Sequence, residues 1–204
     1  MLEFQGSETK GSLYHSIPMV EASTQAIDPS QWASKYQERI EELLLTHGGV
    51  LLRNFNVVAL SEFNRFAKTM EPDLLDYSYR STPRKILGGK IYTSTEYPAD
   101  RHIAWHNENS YSDQWPKRVL FFCVIPASIE GGETPIVDSR KVYQSLDKEI
   151  REEFEAKKVK YVRNYQNGID LSWQEVFQTE SKKDVESYCN AHGISYTWGD
   201  GSPI

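Results

Sequence analysis

Apolar positions in the first half of the chain recur every three to four places. Tyr36, Ile40, Leu43, Leu44 and His47 fall on one stripe, which predicts a helix from Asp28 to about His47. Asp28 supplies an N-cap, Pro29 suits the first helical position, and Gly48 stops the run. His47 is then expected to pack or cap rather than to do chemistry. Residues 50–55 read as a strand, and residues 60–70 as a second amphipathic helix built on Phe63, Phe66, Ala67 and Met70. Residues 1–26, rich in Ser, Thr, Gln and Gly, predict an irregular lead-in.

The middle of the chain changes character. Residues 73–100 are loop-rich, with Gly88-Gly89 before a short strand at 90–94; they form either a substrate-facing lid or a plain surface loop. Residues 119–125 are continuously apolar and end at Pro126, which predicts a strand buried on both faces. Asp147 begins a helix to about Ala156, residues 158–163 suit another strand, and Ser181 with Asp184 makes a capping box for a helix ending at Gly193. The predicted class is mixed α/β, mainly β. Short strands flanked by helices suit a double-stranded β-helix of the jelly-roll, cupin type.

Composition narrows the setting. A chain of 204 residues, 39% hydrophobic, can bury one core, and one domain is expected over residues 27–204. The net charge of −6 and the lack of a Lys/Arg cluster argue against nucleic acid. No apolar run approaches membrane-span length, and the polar start lacks a signal-peptide core, so a cytoplasmic protein with no membrane partner is expected. Cys123, in the apolar run, and Cys189, in a helix, are expected as buried reduced thiols without catalytic roles. The pattern says nothing of oligomeric state.

The chemistry lies in an ordered set: Trp105-His106-Asn107-Glu108, then Ser110-Tyr111, then Gly131-Gly132-Glu133-Thr134. A His-x-acid match alone is worth little. Five histidines and 29 acidic residues in 204 give roughly 0.7 such matches by chance. The company of the match carries the weight, because a histidine and a carboxylate are two of the three ligands of a facial non-haem iron site. The i, i+2 spacing predicts that both project from one β-edge and converge on a point.

Residues 91–98 (IYTSTEYP), 104–116 (AWHNENSYSDQWP) and 121–146 (FFCVIPASIEGGETPIVDSRKVYQSL) resemble the TauD/TfdA (taurine dioxygenase-like) superfamily of Fe(II)- and 2-oxoglutarate-dependent oxygenases, most nearly its SyrP-like branch. Residues 48–55 and 161–179 extend the likeness, which covers about residues 35–200. The resemblance implies His106 and Glu108 as catalytic metal ligands and Thr134 as a donor to 2-oxoglutarate. It also implies a second metal histidine and an arginine for the co-substrate, in a His-Pro stretch near the C-terminus. No such stretch precedes Ile204. The chain is therefore expected to be a C-terminally incomplete oxygenase, inactive by itself. Many relatives carry Asp where Glu108 stands and halogenating cousins a small residue, so Glu108 favours hydroxylation or desaturation.

The implied reaction consumes dioxygen: one oxygen atom enters succinate as 2-oxoglutarate loses CO2, and the other replaces a substrate hydrogen as hydroxyl. The favoured substrate is a small molecule, an amino acid free or tethered to a carrier protein, in natural-product (antibiotic) biosynthesis. Trp105, Asn109 and Tyr111 around the metal motif, and Arg163 further on, are candidate substrate contacts. A divalent-metal hydrolase, a non-catalytic metal- or small-molecule-binding domain and a purely structural jelly roll stay open as alternatives.

Overall fold

A computed structural model describes residues 4–5, 17–24, 26–79, 81–82, 84–95, 97–98, 100–128, 134–165 and 171–199. The chain divides into two compact units: Met1–Leu74 with Leu120–Lys158, and Leu75–Val119 with Val159–Ile204.

The first unit pairs a small sheet with helices. Its strands β1 (Phe4–Gln5), β2 (Met19–Glu21) and β3 (Leu51–Arg53) lie in the order β1-β2-β3, antiparallel and then parallel. The expected irregular lead-in thus contributes strands, and Val20 of β2 is fully buried. The single helix expected after Asp28 is two, α1 (Pro29–Lys35) and α2 (Gln37–His47), broken at Tyr36, whose ψ of 24° leaves the helical range. Tyr36 instead lays its ring against Trp32, with centroids 5.6 Å apart. The predicted stops hold. Asp28 caps α1 by accepting from the Ser30 and Gln31 amides at 2.8 and 3.3 Å, and Gly48 ends α2 at φ 80°, a left-handed turn that glycine adopts without a Cβ clash. His47 is exposed.

Helix α3 (Leu60–Met70) forms as its stripe predicts. Ala59 has no hydroxyl to cap it, so Glu62 alone closes the start, accepting from the Val58 and Ala59 amides at 2.7 and 3.0 Å. Arg65 pairs with Asp28, tying α3 to the start of α1. Val20, Trp32, Ala33, Ile40 and Met70 make the core, and Trp32 meets Phe55 at 5.2 Å. Helices α4 (Ser139–Ser145), which the hydrophobic pattern did not predict, and α5 (Lys148–Lys157) follow.

The apolar run 119–125 is not a strand buried on both faces. It forms no ladder among the described residues: Leu120 packs on the core and Phe122 stacks on Phe63 at 5.2 Å, while Phe121 and Ile125 are 69% and 83% exposed. A run of uniformly apolar residues hides which alternate side faces the core. Cys123 lies on the outer side and is exposed, contrary to expectation, whereas Cys189 is buried; both are free thiols.

The second unit holds the hairpin β4 (Ile86–Gly88) and β5 (Ile91–Tyr92), turned through Gly88 and Gly89 at φ 149° and 58°. Helix α6 (Trp173–Phe177) was not expected, yet its capping box is written in the sequence: Ser172 accepts from the Glu175 amide, and Glu175 accepts from that of Ser172. Ser181 caps α7 (Lys182–Ala191) by accepting from the Asp184 amide. Tyr79, Tyr165, Trp173, Val176, Val185 and Cys189 form the core. Residues 158–163 form no strand, and Lys158 at their start has φ 64°, so a second expected strand is also absent among the described residues. Helices therefore outnumber strands there, against the mainly-β expectation, because apolar extended segments become strands only when a neighbour takes their backbone groups. No helix of the described residues is long and apolar enough to cross a membrane.

Asp28→Ala should destabilise the chain by about 1 kcal/mol through the lost cap. A fall in the urea midpoint with an unchanged slope is the expected result.

Candidate metal centre

His106 lies in a segment outside any helix or strand and Glu108 in the turn that follows; neither is on a β-edge, contrary to the strand expectation. Their side chains nevertheless converge. His106 Nδ1 is 2.8 Å from the Ala104 carbonyl, so a proton on Nδ1 donates there and leaves the Nε2 lone pair free. Nε2 faces Glu108 Oε2 at 3.9 Å. Asn109, in the left-handed region at φ 53°, reverses the chain just after the pair. Short polar side chains tolerate that conformation better than most.

The pair fits two ligands of one divalent ion. Bonds of about 2.1 Å to both atoms allow separations up to roughly 4.2 Å, and a right-angled pair needs about 3.0 Å, within reach of a side-chain rotation. The carbonyl behind Nδ1 is the support that metal-binding imidazoles ordinarily have. No third His, Cys, Asp or Glu joins the pair among the described residues.

Arg84 is the residue that the sequence did not single out. Its Nη2 donates to Glu108 Oε1 at 3.0 Å, and its Cζ lies 4.7 Å from the centre of the Tyr77 ring. Its Nε is buried with no hydrogen-bond partner. The one available signal was an arginine inside the loop-rich stretch, in Ser81-Thr82-Pro83-Arg84. Ser81, Thr82, Arg84, His106, Glu108 and Asn109 line a cavity of about 110 Å³ with Thr95, Tyr97 and Ile103. That is well below the roughly 300 Å³ needed to enclose a drug-sized ligand.

Tyr77 is held on several sides. Its amide donates to the Tyr92 hydroxyl at 3.0 Å, its carbonyl accepts from Gln178 Nε2 at 3.2 Å, and its hydroxyl lies 3.2 Å from that of Thr82. Burial pushes the Tyr77 phenol up, but the Ser81 and Thr82 hydroxyls and the Arg84 charge outweigh it and hold it below its ordinary value.

The other candidates are dispersed. Tyr111 packs on the tyrosine core and donates to Ser81 Oγ at 3.1 Å. Asn109 lines the cavity and accepts from Tyr111 at 3.4 Å, while Trp105 is exposed. Arg163 lies over the rings of Tyr79 and Tyr165, both at 5.1 Å, and of Tyr111 at 5.8 Å, so its charge is set among aromatic faces. Thr134 is exposed in the first unit, and the Gly131-Gly132-Glu133 turn before it lies outside the described residues. His192 ends α7, where its Nδ1 is 2.9 Å from Asp113. It is not among the residues lining the cavity.

Known proteins give this geometry a family. Residues 14–195 match the family of the taurine catabolism dioxygenase TauD and TfdA, and the chain belongs to it. It is 40% identical over 182 residues to a dapdiamide synthesis protein, DdaC, of Enterobacter agglomerans, covering 89% of this chain and 54% of that protein. It is 31% identical over 168 residues to a clavaminate synthase-like protein of Arabidopsis thaliana, covering 78% and 51%. The chain thus spans about half the length of the curated relatives it matches.

Burial, with the nearby Tyr77, pushes the Tyr111 phenol up to about 12 from its ordinary 10.0. The folded state therefore favours the neutral phenol. That stability is complete below pH 10, is lost as pH rises through about 12, and should vanish from the alkaline limb of a Tyr111→Phe denaturation series.

Proposed function

We propose that this chain carries two of the metal ligands of an Fe(II)- and 2-oxoglutarate-dependent dioxygenase, with His106 and Glu108 as the ligand pair. The observation that carries this is the 3.9 Å approach of His106 Nε2 to Glu108 Oε2, in a member of an oxygenase family. Bound iron(II) would let dioxygen, with 2-oxoglutarate as the electron-donating co-substrate, supply the oxidising power for attack on a C–H bond. The chain's own residues hold and orient. Ala104 keeps the proton on His106 Nδ1, and Glu108 presents one carboxylate oxygen.

Thr134 is the proposed hydroxyl donor to the co-substrate carboxylate. An arginine and a further histidine are the groups that the family likeness adds to the proposed site. The proposed reaction is hydroxylation or desaturation of a small substrate, an amino acid free or carrier-tethered. The likeness to a protein of dapdiamide synthesis supports a place in natural-product biosynthesis. Trp105, Asn109, Tyr111 and Arg163 remain the proposed substrate contacts.

The test is anaerobic addition of Fe(II) and 2-oxoglutarate to the protein carrying this chain. A visible charge-transfer band is expected, strongly reduced by His106→Ala or Glu108→Ala. Thr134→Ala should instead raise the 2-oxoglutarate concentration needed, since one hydrogen bond to a charged group contributes about 1.5–3 kcal/mol. Iron binding without any 2-oxoglutarate turnover would favour the non-catalytic metal-binding reading.

A further inference from the structure

We infer that Arg84 is a positioning residue for the metal carboxylate: it occupies Glu108 Oε1 so that Oε2 alone faces His106. This rests on the metal-pair reading above. The contact from Arg84 Nη2 to Oε1 is 3.0 Å, and Oε2 is the oxygen facing His106 Nε2 at 3.9 Å. One carboxylate thus has its two oxygens assigned to two different partners. A guanidinium meeting a carboxylate through Nε and Nη2 together would take both oxygens. Here Nε is buried without a partner, away from that role.

The orphaned Nε is also evidence that the guanidinium is placed rather than merely accommodated. A buried donor without an acceptor is costly, and a freely moving arginine would turn to satisfy it. The Tyr77 face, 4.7 Å below Cζ, holds the plane, and Tyr77 is fixed by Tyr92 and Gln178. Arg84 and Glu108 are both largely covered, with side chains 21% and 25% exposed, so water screens their interaction only in part. His106, by contrast, is 58% exposed and can adjust to a metal. The site therefore has one rigid ligand and one adaptable ligand. Arg84 sets the rigid one.

The inference has a competing outcome. An arginine that only neutralised Glu108 would oppose metal binding, and its removal would tighten it. Co(II), a redox-stable divalent probe, is titrated into the protein carrying this chain, its Arg84→Ala, Arg84→Lys and Glu108→Ala variants, and the double variant. Arg84→Ala should weaken Co(II) binding by about 10–100-fold, the range for loss of a group supporting a ligand. Arg84→Lys, which keeps the charge and a donor, should recover part of the loss.

In the Glu108→Ala background Arg84→Ala should change nothing further, because the residue it positions has gone. A general structural defect would persist in that background and would overturn the inference. Unchanged or tighter binding in Arg84→Ala, with Glu108→Ala still weakened, would overturn it while leaving the metal pair intact. No Co(II) binding by the parent protein, or binding indifferent to Glu108→Ala, would overturn both.

Discussion

A positive charge brought largely out of water constrains the second unit more than any other feature. Arg84 is stabilised there by one carboxylate oxygen and one aromatic face. Losing either would leave a partly buried charge under-compensated, a costly state. Hence the neighbours of Arg84 are themselves anchored. Tyr92 of β5 and Gln178, just past α6, both bond the backbone of Tyr77, so a short hairpin and a five-residue helix become the supports of a ring. That ring carries the guanidinium, the guanidinium holds Glu108, and Glu108 faces His106.

Such a chain of contacts gives family membership a local physical meaning. The relatives match over most of this chain, yet the proposed metal pair occupies only the span of three consecutive positions. Three consecutive residues outside any helix or strand cannot define a geometry, because such a backbone has many ways to present its side chains. The guanidinium of Arg84 removes that freedom for Glu108, while the Ala104 carbonyl orients the ring of the exposed His106. The tyrosine core beneath, with Arg163 set among its rings, gives the unit a stable base despite its short strands.

Legibility in the sequence followed the range of each interaction. Local ones were readable: the Asp28 cap, the Gly48 stop, the Leu60–Met70 stripe and the Ser181 cap all depend on neighbours a few residues away. Strands were read less well. Residues 119–125 are uniformly apolar, and neither alternation nor composition reveals that only Leu120 and Phe122 turn inward or that no ladder forms. The break at Tyr36 was hidden because its ring-on-ring contact with Trp32 looks, in sequence, like one more turn of the same stripe. At the candidate site, the approach of His106 to Glu108 was expected from their spacing, although neither lies on the expected strand. Arg84 was not, since its contact with Glu108 spans 24 residues and a lone arginine in a loop has no pattern.

The metal pair held by Arg84 is tested most directly by anomalous diffraction from crystals grown with Mn(II), using data collected on both sides of the manganese edge. One anomalous peak should lie within bonding distance of His106 Nε2 and Glu108 Oε2, with Arg84 still on Oε1. A peak elsewhere, or one bound by both Glu108 oxygens with Arg84 displaced, would contradict that arrangement.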